Sequence, residues 1–388
     1  MKCYAAFAKD LTIRNSGSSG GLFPLLSLKF IQNGGVVYAS EYDDSFQVVF
    51  NRYTSSDTLK RSFTSKYVQS RLNNTFLYIK KDLKNHLPVL FCGTPCQVSA
   101  LAKYLELTKT PTDTLLLLDF VCHGVPSETV FQHFMKRFSN PPCVELNMRN
   151  KDSGWDYGCY SWKLSFSDST TLTIQQNNIP YMKGFLSNLF LRHSCYTCKK
   201  ESYKAADITI GDFWGISKTR PDIPSKHGVS CVIVRSQKGV QVFEKLQKYL
   251  ETYPVQYSDI LISNPSLQSP AKKPFYRTLF FRKLQKGANL DTLIEKAATP
   301  TYKNRIINKL YSKLPFKPTS VGDLTSYTQH TIYTQKESCC GCVACYNICP
   351  VKAITLKTDS EGFVYPVITT SICTNCQLCR SICPCITS

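Results

Sequence analysis

No uncharged run in this 388-residue chain approaches the ~18 residues that a membrane-spanning helix needs, so no transmembrane segment is expected. Met1 to Lys9 does not lead into an apolar stretch of the secretory kind; a Ser/Gly loop follows it. Without such a leader the 19 cysteines are not expected to be a disulfide framework. They are expected to be reduced thiols in a cytoplasmic compartment, used for metal. Acidic residues are scarce, 27 Asp and Glu against 47 Lys and Arg, leaving a formal net charge of +20. The basic residues are scattered and no nucleic-acid-binding motif accompanies them, so nucleic acid is not an expected partner. A solvated basic surface is the plain reading. Attraction to an acidic electron carrier or a phosphorylated cofactor is the functional one.

What the chain does have is concentrated at its end. Cys339-Cys340-Gly341-Cys342-Val343-Ala344-Cys345-Tyr346-Asn347-Ile348-Cys349-Pro350 is followed by Cys373-Thr374-Asn375-Cys376-Gln377-Leu378-Cys379-Arg380-Ser381-Ile382-Cys383-Pro384. Both fit C-x2-C-x2-C-x3-C-P, the bacterial ferredoxin spacing, in which the fourth Cys of each run ligates the other cluster. Cys339, Cys342, Cys345 and Cys383 are therefore expected to hold one 4Fe-4S cluster, and Cys373, Cys376, Cys379 and Cys349 a second. Zinc is the bland alternative, since C-x2-C pairs also build tetrahedral zinc sites. Cys340 and Cys385 have no slot in the motif and read as bystanders. Oxidised four-thiolate cubes carry about −2 each, so bound clusters would offset part of the basic charge.

Upstream, 43% hydrophobic and 12% aromatic residues mark a globular chain long enough for two or three domains. Residues 15–21 form a small-residue turn before a helix at Leu22 to Ile31, and Val36 to Tyr53 reads as a hairpin. The turn is an anion-site candidate or merely a flexible turn, and it lacks the G-x-G-x-x-G pattern. Pro88 to Phe91 and Thr114 to Val121 are short buried-type strands, each followed by a helix. They would carry Gly93-Thr94-Pro95-Cys96 and Cys122-His123-Gly124 at the carboxyl edge of a parallel sheet, the usual ligand edge of an α/β fold. Strand-like runs over 143–176, a helix at Tyr181 to Leu191, strands at Ala206 to Gly211 and Gly228 to Arg235, and a helix at Gly239 to Leu250 follow. Beyond Pro254 the pattern is irregular. Residues 303–314 read as a basic helical patch and 319–334 as a linker.

Cys96 and Cys122 at neighbouring strand ends, with the Cys195-x2-Cys198 pair, could supply four ligands to a third cluster. Buried, unliganded Cys is the alternative for each, and it is the reading adopted for Cys3, Cys92, Cys143, Cys159 and Cys231. Cys92 lies close enough to be a substitute ligand.

Residues 1 to about 250 resemble the beta-subunit family of coenzyme F420 hydrogenase and F420-dependent dehydrogenases. The resemblance is carried by Ser18-Ser19-Gly20-Gly21, Ser65 to Ser70, Gly93 to Gln97, Cys122 to Ser127, Arg149 with Gly154-Trp155, Cys195-x2-Cys198, Gly211 to Gly215 and Gly228-Val229-Ser230. It implies an α/β flavin/iron-sulfur domain with a mixed sheet over residues 1–290, a basic helix and linker over 291–332, and a small α+β ferredoxin-like domain over 333–388. In many relatives the ferredoxin module precedes the flavin domain; here it follows. The resemblance further implies FAD, with Ser18, Ser19, Gly20, Gly21, Lys66, Tyr67, Gln69, Gly93, Thr94, Pro95, Gln97 and Gly124 as candidate contacts. It adds weight to a 4Fe-4S cluster at Cys96, Cys122, Cys195 and Cys198. His123 and Lys66 are the candidates for proton transfer, with a satisfied structural His as the alternative for His123. The expected activity is an iron-sulfur flavoprotein oxidoreductase passing electrons from ferredoxin-type clusters through the inner cluster and FAD to or from coenzyme F420 or an organic substrate. Its expected partners are a ferredoxin or a hydrogenase/dehydrogenase-type subunit, together with a small-molecule substrate. The other readings are an electron-transfer adapter with no substrate of its own and a zinc-stabilised scaffold.

Overall fold

The computed structural model describes residues 1–298, 306–307, 310, 332–333 and 335–386. The basic patch at 303–314 and the linker at 319–334 fall almost wholly outside these residues. The described chain divides into two compact units. One gathers Met1–Cys122, Phe138–Gln176 and Lys199–Ser269, and the other His123–Arg137, Asn177–Cys198 and Pro270–Ser388.

The first unit is built on strands β1 (Lys2–Ala8), β2 (Val36–Tyr42), β3 (Val48–Tyr53), β4 (Val89–Gly93), β5 (Leu115–Phe120), β6 (Cys143–Asn150), β7 (Ser161–Phe166), β8 (Thr171–Gln175), β9 (Ile208–Asp212), β10 (Ser230–Val234) and β11 (Leu250–Pro254). Eight of them form one mixed sheet in the order β11-β1-β10-β9-β5-β4-β2-β3, and β6-β7-β8 form a separate antiparallel sheet. The centre, β2-β4-β5-β9, is parallel. Leu115 to Leu118 are buried along β5, as a strand covered on both faces requires. Alternation along β1 sends Ala6 and Ala8 into the core with Leu25, Val37 and Leu90, and Ala5 and Phe7 into the opposite core with Trp155, Phe213 and Ile233.

The second unit packs the helices Glu128–Met135, Pro180–Leu186, Arg277–Gln285 and Leu290–Ala298 with a hairpin, β12 (Ile354–Thr358) and β13 (Val364–Ile368). Its core is aromatic: Tyr181 lies 5.5 Å from Phe131 and 5.2 Å from Phe190, which lies 5.8 Å from Phe280.

Three features depart from the sequence reading. β1 is a strand that composition hides, because Ala5 and Ala6 carry no β-branched signal and earn their place by full burial between β10 and β11. The helix read through Leu250 ends at Leu246, because Leu250 pairs with Ala8 and opens β11. Between Pro254 and Ala298 the chain forms the helices Tyr257–Ser263, Arg277–Gln285 and Leu290–Ala298, the middle one fixed by buried Arg277, Phe280, Phe281 and Leu284.

Candidate cofactor and metal sites

The two C-terminal cysteine runs take the same backbone shape twice. In the first, Gly341 and Val343 flank Cys342 at φ 73° and 52°. In the second, Asn375 and Gln377 flank Cys376 at 54° and 61°. A β-branched residue at positive φ is a genuine outlier, costing on the order of 1–3 kcal/mol, and such strain collects at ligand sites. Alternating right- and left-handed residues turn successive N–H groups inward, the anion-binding nest found at many iron-sulfur sites.

Around the second loop lies a cavity of about 210 Å³, walled by Cys373, Cys376, Cys379 and Cys349. A narrower one of about 20 Å³ is lined by Cys339, Cys342, Cys345 and Cys383, together with Cys340 and Cys385. Counting the motif cysteines alone, in each cavity three thiols come from one run and one from the other. The larger cavity suits an iron-sulfur cube in room and in donor set. The smaller suits one by donor set. Among the described residues no three His, Cys, Asp or Glu side chains converge to grip a single metal ion. The two thiols without a slot in the motif, Cys340 and Cys385, share the smaller cavity wall.

The other cysteines are distributed differently. β4 and β5 run parallel with Gly93 beside Asp119, so Cys96 and Cys122 follow neighbouring strand ends. Cys96 stands 3.2 Å from the Thr94 hydroxyl, and the Lys200 ammonium donates to the Cys122 carbonyl at 2.5 Å. Both cysteines belong to the first unit, whereas Cys195 and Cys198 belong to the second. There the Val125 N–H points to the Cys195 sulfur at 3.4 Å. Gly124, at φ 145°, lets that loop approach: a Cβ would lie 2.9 Å from Leu191 and 3.2 Å from the Cys195 Cβ. The His123 ring is oriented by Asn188 at 2.6 Å and by an edge contact to Phe185.

The residues read as flavin contacts have identifiable structural work. Gly20 packs so tightly between β1 and β10 that a side chain would strike the Ala6 carbonyl, and Gly21 at φ 81° opens the helix Leu22–Gln32. The Ser18 hydroxyl accepts from the Ser65 N–H at 2.7 Å, and Ser19 donates to the Val229 carbonyl at 2.8 Å. Gly93 precedes Thr94, which caps the helix Pro95–Leu107; Gln97 accepts from the Thr94 N–H at 3.0 Å and donates to Ser70 at 3.0 Å. Lys66 is half-buried and donates to the Thr64 carbonyl at 2.9 Å. Desolvation brings its ammonium down to about 7, against the pull of Glu41 and Cys92. Tyr67 holds the Arg149 guanidinium at 3.0 Å, and Gln69 is half-buried.

Sequence reasoning missed the polar core behind this edge. Arg149, 1% exposed, meets Asp212 with two bonds of 2.8 Å and donates to the Ser18 carbonyl at 2.8 Å. Trp155 donates to Asp212 and stacks on Trp214, while Arg149 lies over the Tyr160 ring at 4.2 Å. The Lys151 ammonium donates to the carbonyls of Arg14, Ser19 and His227, and burial, with Arg149 and Arg14 beside it, lowers it to about 7. Burial pushes the Asp119 carboxyl up to about 7, and its Oδ1 has no hydrogen-bond partner among the described residues. The signal for Arg149, Trp155 and Asp212 was their place in the motif stretches. For Asp119 it was a lone acid closing an apolar strand.

Residues 87–257 match the family model for the C terminus of the coenzyme F420 hydrogenase/dehydrogenase beta subunit. Over 53 residues the chain is 36% identical to an uncharacterized ferredoxin of Methanocaldococcus jannaschii, an alignment spanning 14% of this chain and 68% of that protein. A chain of the F420-reducing NiFe hydrogenase complex from Methanosarcina barkeri, solved with xenon derivatization, superposes with a TM-score of 0.47 at 14% identity, over 74% of this chain and 93% of that one. Among the described residues no helix is long and apolar enough to cross a membrane. Over residues 87–257 the chain is similar to the coenzyme F420 hydrogenase/dehydrogenase beta-subunit family, and its end carries a ferredoxin-related segment.

Proposed function

We propose that this protein is an iron-sulfur flavoprotein oxidoreductase subunit, exchanging electrons between a one-electron protein partner and coenzyme F420 or an organic substrate. The observation that carries the reading is the pair of duplicated cysteine loops, each with two positive-φ residues around its central Cys and each sharing its cavity with the last Cys of the other. Cys339, Cys342, Cys345 and Cys383 would hold one 4Fe-4S cluster, Cys349, Cys373, Cys376 and Cys379 a second, and Cys96, Cys122, Cys195 and Cys198 a third. FAD would be held at the carboxyl edge of β4 and β5, by the Ser18–Gly21 turn, Lys66 to Gln69 and Gly93 to Gln97, with Gly124 as a further contact. When bound, the clusters would supply single electrons and the flavin the means of pairing them.

The chain's own residues supply binding, shielding and protons. Lys66 Nζ, brought down to about 7, can hold or release a proton at neutral pH. His123 is the second candidate, with its ring oriented by Asn188.

Anaerobic purification followed by iron, zinc and flavin assay tests the reading. The expected result is about twelve irons per chain with flavin bound, falling by about four in C376A and by about four in C198A, at four irons per cluster. C340A and C385A should keep full iron. Zinc in place of iron would end the proposal. Iron and flavin with no turnover of coenzyme F420 or any organic acceptor would favour an adapter that serves a partner enzyme.

A further inference from the structure

We infer that Arg192 is a positioning residue joining two of the proposed metal centres. Its buried cation raises the reduction potential of the centre at Cys339, Cys342, Cys345 and Cys383, and its backbone ties that loop to Cys195. The inference rests on the ligand reading above.

Arg192 is 0% exposed, and its Nε donates to the Cys339 carbonyl at 2.6 Å across 147 positions of sequence. Its Nη2 donates to the Val364 carbonyl at 3.0 Å, and its face lies 4.2 Å from the centre of the Tyr365 ring. The same residue's backbone works on the other side. Its N–H donates to the Val125 carbonyl at 2.9 Å, and its carbonyl accepts from the Cys195 N–H at 3.0 Å. One residue therefore holds the first cysteine of the ferredoxin run by its side chain and Cys195 by its main chain.

A guanidinium keeps its charge at every working pH. Fixed in a desolvated place, that charge acts more strongly than in water. One-electron reduction takes an electron from a low-potential donor and adds one negative charge to the thiolate-held centre, with no bond made or broken. A neighbouring cation favours the more negative form, and net charge and local hydrogen bonds are what set such potentials. Lysine would keep the charge and lose the fork, while glutamine would keep polarity and lose the charge.

The test is a redox titration of the full-length, anaerobically purified protein, reduced with dithionite and followed by electron paramagnetic resonance. At the potential where the wild-type centre is half reduced, R192Q should show a reduced fraction about tenfold lower relative to the oxidised one, a downward shift of about 59 mV for one electron. R192K should stay close to wild type, with iron content equal in all three. R192Q with full iron and an unshifted signal would overturn the inference, as would equal shifts in R192K and R192Q. Should R192Q lose iron, R192K decides alone: a wild-type potential supports the charge, and a tenfold change counts against it. Wild-type protein without iron would instead remove the ligand reading, and this inference with it.

Discussion

Arg149 keeps its charge in an almost fully enclosed place because Asp212 meets it with both oxygens at 2.8 Å and Tyr160 and Trp214 cover its face. Burial works against the guanidinium, and the Asp212 carboxylate more than compensates, so it is held above its ordinary range. Removing one partner of such a pair leaves a buried charge without its counterion. D212N is therefore expected to lose about 3 kcal/mol or more of stability, measured by denaturant unfolding. Lys66 gives the opposite case, a half-buried cation whose desolvated ammonium favours the neutral form. Its pKa is about 7 in the fold and 10.5 as an ordinary lysine. Between those values the unfolded chain holds the extra proton, so the Lys66 contribution to stability rises as pH goes from about 7 to 10.5; below 7 both states are protonated and the cost of the buried charge is complete. K66M should abolish that rise, seen as a smaller difference between unfolding midpoints at pH 7 and pH 9.5. Asp119 acts in a lower window. Raised to about 7 from 3.8, it makes the folded state the proton-richer one, and stability falls as pH climbs between those values.

Among the elements, the β12–β13 hairpin is the one whose seating depends on a single glycine. Gly362 stands at φ 86°, and a Cβ there would lie 2.6 Å from the Thr129 backbone nitrogen. Beside it, the Glu361 carbonyl accepts from Ser127, and the Glu361 carboxylate takes two bonds from Arg277 at 2.6 and 3.1 Å. Burial alone would raise that carboxyl, but His193 and Arg277 outweigh it and hold it at about 2. G362A should unseat the hairpin, with faster proteolysis around 359–363 and a loss of about 1–3 kcal/mol. T129A should not rescue it: losing the Thr129 hydroxyl leaves the backbone nitrogen at 2.6 Å and the Cβ at 2.7 Å still in the way. In the cysteine loops the strain runs the other way. Gln377 is exposed at φ 61°, so Q377G is expected to stabilise the apo segment by up to ~1 kcal/mol in thermal unfolding. The parallel strands β4 and β5 and their helices were legible because apolar runs and a Thr-Pro helix start are local signals. β1 and β11 were not, because their partners lie more than 200 residues away or are claimed by a competing helical period.

For the whole molecule, the ferredoxin-related segment has a two-stranded hairpin as its sheet, and such a hairpin is marginal by itself in water. Metal binding is then folding energy. Stripping iron with a chelator and ferricyanide should raise hydrogen exchange across 335–386 while the strands of the eight-stranded sheet stay protected. A net charge of +20 predicts that reduction by an acidic one-electron protein slows as salt rises from 50 to 500 mM, measured by stopped-flow absorbance.

The sequence by itself determined the two ferredoxin-type cysteine runs, because three cysteines on one loop and a fourth a helical turn later are separated by bonds that local geometry alone constrains. It also carried the family resemblance and the alternation of strands and helices. Only the tertiary structure decided which distant groups meet. Arg192 reaches Cys339 across 147 residues and Arg149 reaches Asp212 across 63. Such pairs leave no periodic trace in a chain, since their energy depends on burial and on the close approach of two planar groups that only packing can bring together.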